Sequence, residues 1–349
     1  MKRLNTRLIT PQLCAVILLI MLPLVSVLGL MTGPVFIPLS DILSIMLAGD
    51  GAANGSNSQE KLIIEIIRLP RVMLSLIVGA LLAACGALLQ GLFRNPLADP
   101  ALIGVSAGAS VGASSVIVFG SMVNSGGVML GLSAISMGAF GGAIVASVII
   151  YRLATGPQGT SVATMLLAGI AISALAGAAT NTLSYLADND MLRRISLWQM
   201  GNLQGASWER VGLGALTAGC LAVLIPRETG ALNAMLLGES EARHLGINVE
   251  WLKRRLIIYS ALGVAISVAI AGVIAFVGLM VPHLIRLLVG PDHRSLLPLS
   301  ALAGAILLVA ADALARVVIA PAELPVGIVT SLLGAPFFLW LLVLQRGRS

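Results

Sequence analysis

The chain has 349 residues, 58% of them hydrophobic and only 10% charged, and its mean hydropathy is +1.01. Soluble domains carry charge on about a quarter of their residues, so this composition cannot cover a water-facing surface. The 21 Lys and Arg outnumber the 15 Asp and Glu; in so apolar a chain that excess belongs in cytoplasmic loops beside a lipid bilayer, and nucleic acid is not an expected partner.

A membrane-crossing helix needs about 20 apolar residues, and such runs recur from end to end. The sequence therefore predicts an all-α polytopic membrane protein, one transmembrane domain over 1–349, with about ten spans. They fall near 12–32, 71–92, 101–120, 130–152, 161–186, 206–225, 254–274, 276–290, 297–319 and 326–345. The basic start, Met1 to Arg7, precedes an apolar run from Leu13 to Leu30 that is long for a signal peptide and lacks a small-x-small cleavage site, so it reads as a retained first helix starting in the cytoplasm. The stretch 33–67 is too polar in its middle to span. Within it Ser40 to Ala48 is predicted as a short surface helix capped by Ser40 or Asp41, and Gly49 to Ser58 as a loop. An even number of spans returns the C-terminus to the cytoplasm. Seven basic residues then lie outside (Lys61, Arg68, Arg71, Arg193, Arg194, Arg210 and Arg316) and the remaining fourteen inside, which supports this orientation. The runs after Arg71 and Arg255 share a small-residue pattern, and each leads to a Pro-containing break, Asn95-Pro96 and Pro282-His283; this points to a possible five-plus-five inverted repeat.

Between the second and third spans lies Phe93-Arg-Asn-Pro-Leu-Ala-Asp-Pro100. Its prolines cannot continue a helix, and Asp99 is placed to cap the next one. The longest cytoplasmic loop, about 226–252, holds Leu237-Gly238-Glu239 and Glu241-Ala242-Arg243-His244 before Gly246. Charged and apolar positions alternate there as in one or two short amphipathic helices ending at Gly246, which need something to bury their apolar face against. Arg68 and Arg71 are three apart at a helix start, and Arg316 reaches the same outer surface from another helix. The three read either as lipid-interface cations or as a site for carboxylates. Asp312 stands i, i+4 to Arg316 and can pair with it, while Glu323 is placed to cap the last helix. Cys14, Cys85 and Cys220 are scattered in apolar runs and read as packing residues. His244, His283 and His293 have no metal-ligand spacing, so no metal site is expected. No catalytic constellation and no phosphate-binding glycine loop occurs, so the chain is expected neither to catalyse a reaction nor to bind ATP itself.

In its motifs the chain resembles the FecCD-type permeases of ABC importers for iron-siderophores, heme and vitamin B12. The matching blocks run almost end to end. They include Arg68-Leu-Pro-Arg71, the Phe93–Pro100 segment, Ile103-Gly-Val-Ser-Ala-Gly108, Met165 to Gly169, Trp198-x-Met-Gly201, Leu237-Gly-Glu239, Gly272 to Arg286 and Glu323 to Leu342. The resemblance implies a homodimer in the bacterial inner membrane with a central path. It also implies two cytoplasmic ATPase subunits that use ATP and Mg, and a periplasmic substrate-binding protein; this chain would bind no cofactor. It assigns docking of the binding protein to Arg68, Arg71 and Arg316, and ATPase coupling to Leu237, Gly238, Glu239, Glu241, Ala242, Arg243, His244 and Gly246. An inner gate would involve Asn95, Pro96, Thr160, Ser161, Val162, Ala163 and Thr164, and a translocation path Thr180, Asn181 and Ser184. The Phe93–Pro100 block followed by Ala101-Leu-Ile-Gly-Val is most similar to hemin permeases, which suggests heme or a ferric siderophore as cargo moved by alternating access, with cobalamin as the alternative. An ion-coupled secondary transporter is a reading of a different class, and Asp312 is its one supporting residue.

Overall fold

The computed structural model describes residues 8–48, 57–123, 128–157 and 159–346. The basic start Met1 to Arg7 and most of the predicted 49–58 loop lie outside them. The chain folds as α1 (Pro11–Met31), α2 (Leu39–Ala48), α3 (Asn57–Leu62), a π-helical turn (Ile63–Arg68), α4 (Leu69–Leu92), a 3-10 turn (Pro100–Ile103), α5 (Val105–Val123), α6 (Val128–Ala154), a hairpin of β1 (Thr155–Gly156) and β2 (Gly159–Thr160), α7 (Val162–Leu186), α8 (Asn189–Gln199), α9 (Trp208–Leu224), a 3-10 turn (Ile225–Glu228), α10 (Thr229–Met235), α11 (Glu239–His244), α12 (Val249–Ala271), α13 (Val277–Val289), α14 (His293–Val317) and α15 (Val326–Arg346). Among the described residues, seven helices are long and apolar enough to cross a bilayer, and three more are shorter apolar helices. Together they match the expected spans one for one.

Three features were not anticipated. The second span extends at its N-terminal end as one continuous helix, Gln59–Leu92, through the π turn; an apolar run such as Ile-Ile-Glu-Ile-Ile carries no periodic mark of a widened turn. α8 is an added amphipathic helix whose N-cap Asp188 accepts from Met191 N–H at 2.8 Å. Its Met191, Ile195 and Trp198 face the core. They are spaced i, i+4, i+7, a legible helical signal, but too short and polar for a span. The 155–160 turn is a small antiparallel hairpin pairing Thr155 with Thr160.

α4 and α12, whose small-residue patterns match each other, are the most deeply buried of the seven long helices. They pack together, with α14 and α13 also on α4 and with α5 against α6. No hydrophobic force drives helices together in lipid, so close backbone approach supplies the attraction. A Cβ on Gly86 would overlap the Gly278 carbonyl of α13, and one on Gly79 would overlap Gly304 of α14. Gly86→Val should therefore force α4 and α13 apart and cost about 1–3 kcal/mol of stability, read as a lower unfolding temperature in detergent. The exposed position Gly177, where a Cβ meets nothing within 4 Å, should tolerate alanine.

Candidate functional site

Polar and charged side chains gather in two places, at opposite ends of the bundle. At the end away from the 226–248 loop, Arg68, Arg71 and Arg316 do converge. They are only 4%, 6% and 2% exposed. Arg71 lays its guanidinium fork on Asp312, with Nε at 3.0 Å and Nη2 at 2.8 Å from Oδ1, and its Nη1 meets Glu323 Oε2 at 2.8 Å. Arg316 pairs with Asp312 Oδ2 at 3.2 Å, one helical turn back. It also donates to Gly29 O at 2.8 Å and Thr32 O at 2.9 Å. Arg68 donates to Leu30 O, Met31 O and Val35 O. Two arginines thus satisfy the carbonyls that α1 leaves unpaired at its C-terminus, where the helix dipole also favours positive charge. Arg71 and Arg316 face two anions, Asp312 and Glu323, while Arg68 is held by backbone carbonyls alone and leaves the cluster with one net positive charge.

The expected pairing of Asp312 with Arg316 is present, and none of the three guanidinium groups is without partners inside the chain. A guanidinium already held by buried partners offers little to an approaching carboxylate, and these groups are spent on fixing α1, α4 and α14 to one another. Glu323 is likewise not a simple helix cap. Burial alone would raise its carboxyl, but the hydrogen bonds from Arg71 and Gln204 and the Arg71 charge outweigh this and hold it below the usual Glu range. Gln204 continues the chain of contacts into the segment after α8, where Asn202 N–H donates to Ala271 O at the end of α12.

At the other end, α10 and α11 form the expected pair of short helices. α11 closes as the sequence foretold: Gly246 has φ +82°, Ile247 N–H bonds to Ala242 O and Gly246 N–H to Arg243 O, the double bond pattern of a glycine-terminated helix. α11 buries only Ala242, while Leu237, Leu245 and the nearby Trp251 are 68%, 64% and 57% exposed. Glu241, Arg243, His244 and Gly246 are exposed beside them, and Gly238 and Glu239 are half-buried. The loop is nevertheless firmly seated. Asn233 of α10 donates to Asp292 Oδ1 at 2.7 Å and accepts from His293 N–H at 2.8 Å, which ties α10 to the start of α14. Asp292, the α14 N-cap, also accepts from Arg294 N–H at 3.0 Å.

That backbone hydrogen bond is the main reason the Asp292 carboxyl titrates below its ordinary value, with help from Asn233 and the Arg294 charge. A depressed folded-state value means the carboxylate stabilises the fold above the ordinary Asp range. The contribution disappears as pH falls through the depressed value. Asp292→Ala should cost about 1 kcal/mol at pH 7, and the gap between variant and wild type should close in unfolding curves taken at progressively more acidic pH.

The structure brings part of the expected gate to the same loop. Thr160 is buried, and Ser161 caps α7 by accepting from Thr164 N–H at 3.3 Å, while Ser161, Ala163 and Thr164 are exposed and Val162 is half-buried. Asn95 and Pro96 sit in an exposed turn where Asn95 Oδ1 accepts from Leu97 N–H at 2.9 Å, and Asp99 caps the following 3-10 turn at 2.7 Å. Sequence reasoning missed Glu250 and Lys253, which reach this region from α12; their i, i+3 spacing at a basic helix start was the available sign. Of the path candidates on α7, Thr180 is buried, Ser184 half-buried and Asn181 exposed. Cys14 and Cys85 are buried packing residues, whereas Cys220 is exposed. His283 of α13 lies against Phe337 and Phe338 of α15. Among the described residues no three His, Cys, Asp or Glu side chains form a metal-binding group.

Comparison with known proteins agrees with this architecture. The chain is 49% identical over 282 residues to the hemin transport system permease protein HmuU of Yersinia pestis, covering 80% of this chain and 83% of that one. It is 45% identical over 285 residues to the cobalamin import system permease protein BtuC of Halobacterium salinarum, covering 81% and 73%. The fold is similar to a solved structure described as an inward-facing conformation of a putative metal-chelate type ABC transporter, with a TM-score of 0.79 and 31% identity over 96% of this chain and 99% of that one. The model of the FecCD transport family matches residues 18–344, and with ten apolar helices in the expected order the chain belongs to the FecCD transport family, the importer-permease family its motifs resemble.

Proposed function

We propose that the chain is the permease subunit of an ATP-binding-cassette importer that carries an iron complex, heme or a ferric siderophore, into the cytoplasm across the bacterial inner membrane. It works as a homodimer with both termini in the cytoplasm. Two ATPase subunits dock on the 229–246 loop, a periplasmic binding protein docks at the opposite end, and ATP binding and release alternate the access of a central path. The carrying observation is the loop itself. It exposes Leu237 and Leu245, beside the exposed Trp251 of α12, while α10 and α11 are pinned to α14 and α12, which is the form required of a surface that must receive force and pass it on. The likeness to a hemin permease supports the iron-complex cargo; the likeness to cobalamin permeases keeps cobalamin as the competing cargo. In this reading the buried arginines serve binding-protein docking by holding the ends of α1, α4 and α14 that form the outer surface.

The test is reconstitution of the chain with its ATPase and binding protein in lipid. Hemin-loaded binding protein should stimulate ATP hydrolysis more than cobalamin-loaded protein, and stimulation by cobalamin alone would reverse the cargo assignment. For orientation, Asp190→Cys and Ser240→Cys in a background lacking Cys220 should label from the periplasm and from the cytoplasm respectively. The opposite pattern would overturn the topology.

A further inference from the structure

The second polar cluster contains one buried ammonium, Lys253 of α12, which is 4% exposed. A buried cation is costly unless its donors are filled, and here each of the three has a partner in reach. Lys253 Nζ lies 2.9 Å from Glu239 Oε2, 3.1 Å from Thr160 O and 3.5 Å from Glu250 Oε1. Glu250 in turn accepts from Thr160 N–H at 2.8 Å and has Arg243 Nη2 at 3.6 Å. Both backbone polar groups of Thr160 are therefore taken by α12 side chains. The next residue, Ser161, is the cap of α7. Glu239 is the first residue of α11, preceded by Gly238 at φ +128°. The packing is tight at this point, for Gly159 at φ +99° has the Glu250 carboxylate where a Cβ would stand.

We infer that Lys253 is a positioning residue that links the loop helix α11 to the start of α7, so that a displacement of α11 is passed through Glu239, Lys253 and Thr160 to the turn that opens α7. α11 and Thr160 are far apart in sequence, and one buried ammonium holds both. Pulling Glu239 away would leave a buried charge underpaired unless Thr160 follows. Glu250 serves as the second hand on the same residue, keeping Thr160 N–H fixed while Lys253 fixes its carbonyl. The inference rests on the proposed docking of an ATPase to this loop, but the link itself is a property of the chain.

Two measurements separate the link from that reading. In the permease alone, reconstituted in lipid, Lys253→Met and Glu239→Gln should each speed hydrogen exchange in segment 159–164 by about tenfold, and the double variant should add nothing further. Glu239 does not touch Thr160, so a purely local role for it would leave that segment unchanged. An unchanged Glu239→Gln segment, or full additivity, would overturn the link. In the complete complex, hemin taken up per ATP hydrolysed should fall about tenfold in Lys253→Met and recover substantially in Lys253→Arg. A Lys253→Met complex with wild-type coupling would overturn the transmission role. A wild-type complex that hydrolyses ATP but moves no hemin would count against the cargo assignment and leave the exchange result to decide the link.

Discussion

Asp312→Ala should be among the most damaging single substitutions in this protein. Asp312 is 1% exposed and is shared by two arginines that are themselves buried. Removing one partner of a buried ion pair costs about 3–5 kcal/mol, because the charge left behind has neither water nor a counter-ion. Here two guanidinium groups would be left facing each other with only the half-buried Glu323 between them. The expected result is loss of monodisperse protein in detergent or a steep fall in unfolding temperature. Glu323→Gln should cost far less, since its side chain is 17% exposed and leaves Arg71 its fork on Asp312. Asp312→Ala protein that stays folded with wild-type stability would mean the cluster holds α4 to α14 less tightly than its geometry implies. The same cluster bears on the secondary-transport alternative: Asp312 is committed to structural pairing on both carboxylate oxygens, which is a poor arrangement for a group that must bind and release an ion in each cycle.

Substituting Leu237 and Leu245 together by Glu should leave the fold intact and abolish assembly. Both side chains are mostly exposed and touch little of their own chain, so surface substitution there falls within about 0.5 kcal/mol of neutral for folding. Buried at the centre of an interface, each such anchor is worth about 2 kcal/mol or more, and two charges placed against an apolar surface add desolvation to the loss. Co-purification of the ATPase and ATP-driven hemin uptake should both fall below detection, while elution profile and unfolding temperature of the permease alone stay at wild-type values. Unimpaired co-purification would move the docking surface away from this loop.

Most of the architecture was legible before any coordinates. The apolar runs specify helices, seven of them long enough to cross and three shorter among the described residues, because within hydrocarbon each segment must satisfy its own backbone and the helix is the one open-ended way to do so. The loop helices were legible as well, since Gly246 is needed for a left-handed residue and Ala242 sits in the alternation that α11 buries. The α4–α13 and α4–α14 contacts were implied only in kind: Gly-rich helices must approach something closely, but composition does not say that Gly86 meets Gly278.

The roles of the charged residues were decided by tertiary structure. From the sequence Arg68, Arg71 and Arg316 are three cations against the prevailing charge bias, and their convergence was correctly foreseen. Whether a converging cation points outward or inward depends on which carbonyls and carboxylates the fold leaves unsatisfied nearby. That inventory includes the frayed end of α1, nearly 40 residues from Arg68, and Asp312, 241 residues from Arg71. Lys253 shows the same limit from the other side. In sequence it is one of three successive basic residues at a helix start, set apart from Arg254 and Arg255 only by its i, i+3 spacing to Glu250. Only the packing of α11 and the 155–160 hairpin against α12 buries it and makes it the shared partner of Glu239 and Thr160. Hydrophobic length is a local property that sequence encodes directly. The pairing of buried charge is a long-range property, set by which ends of which helices are brought together.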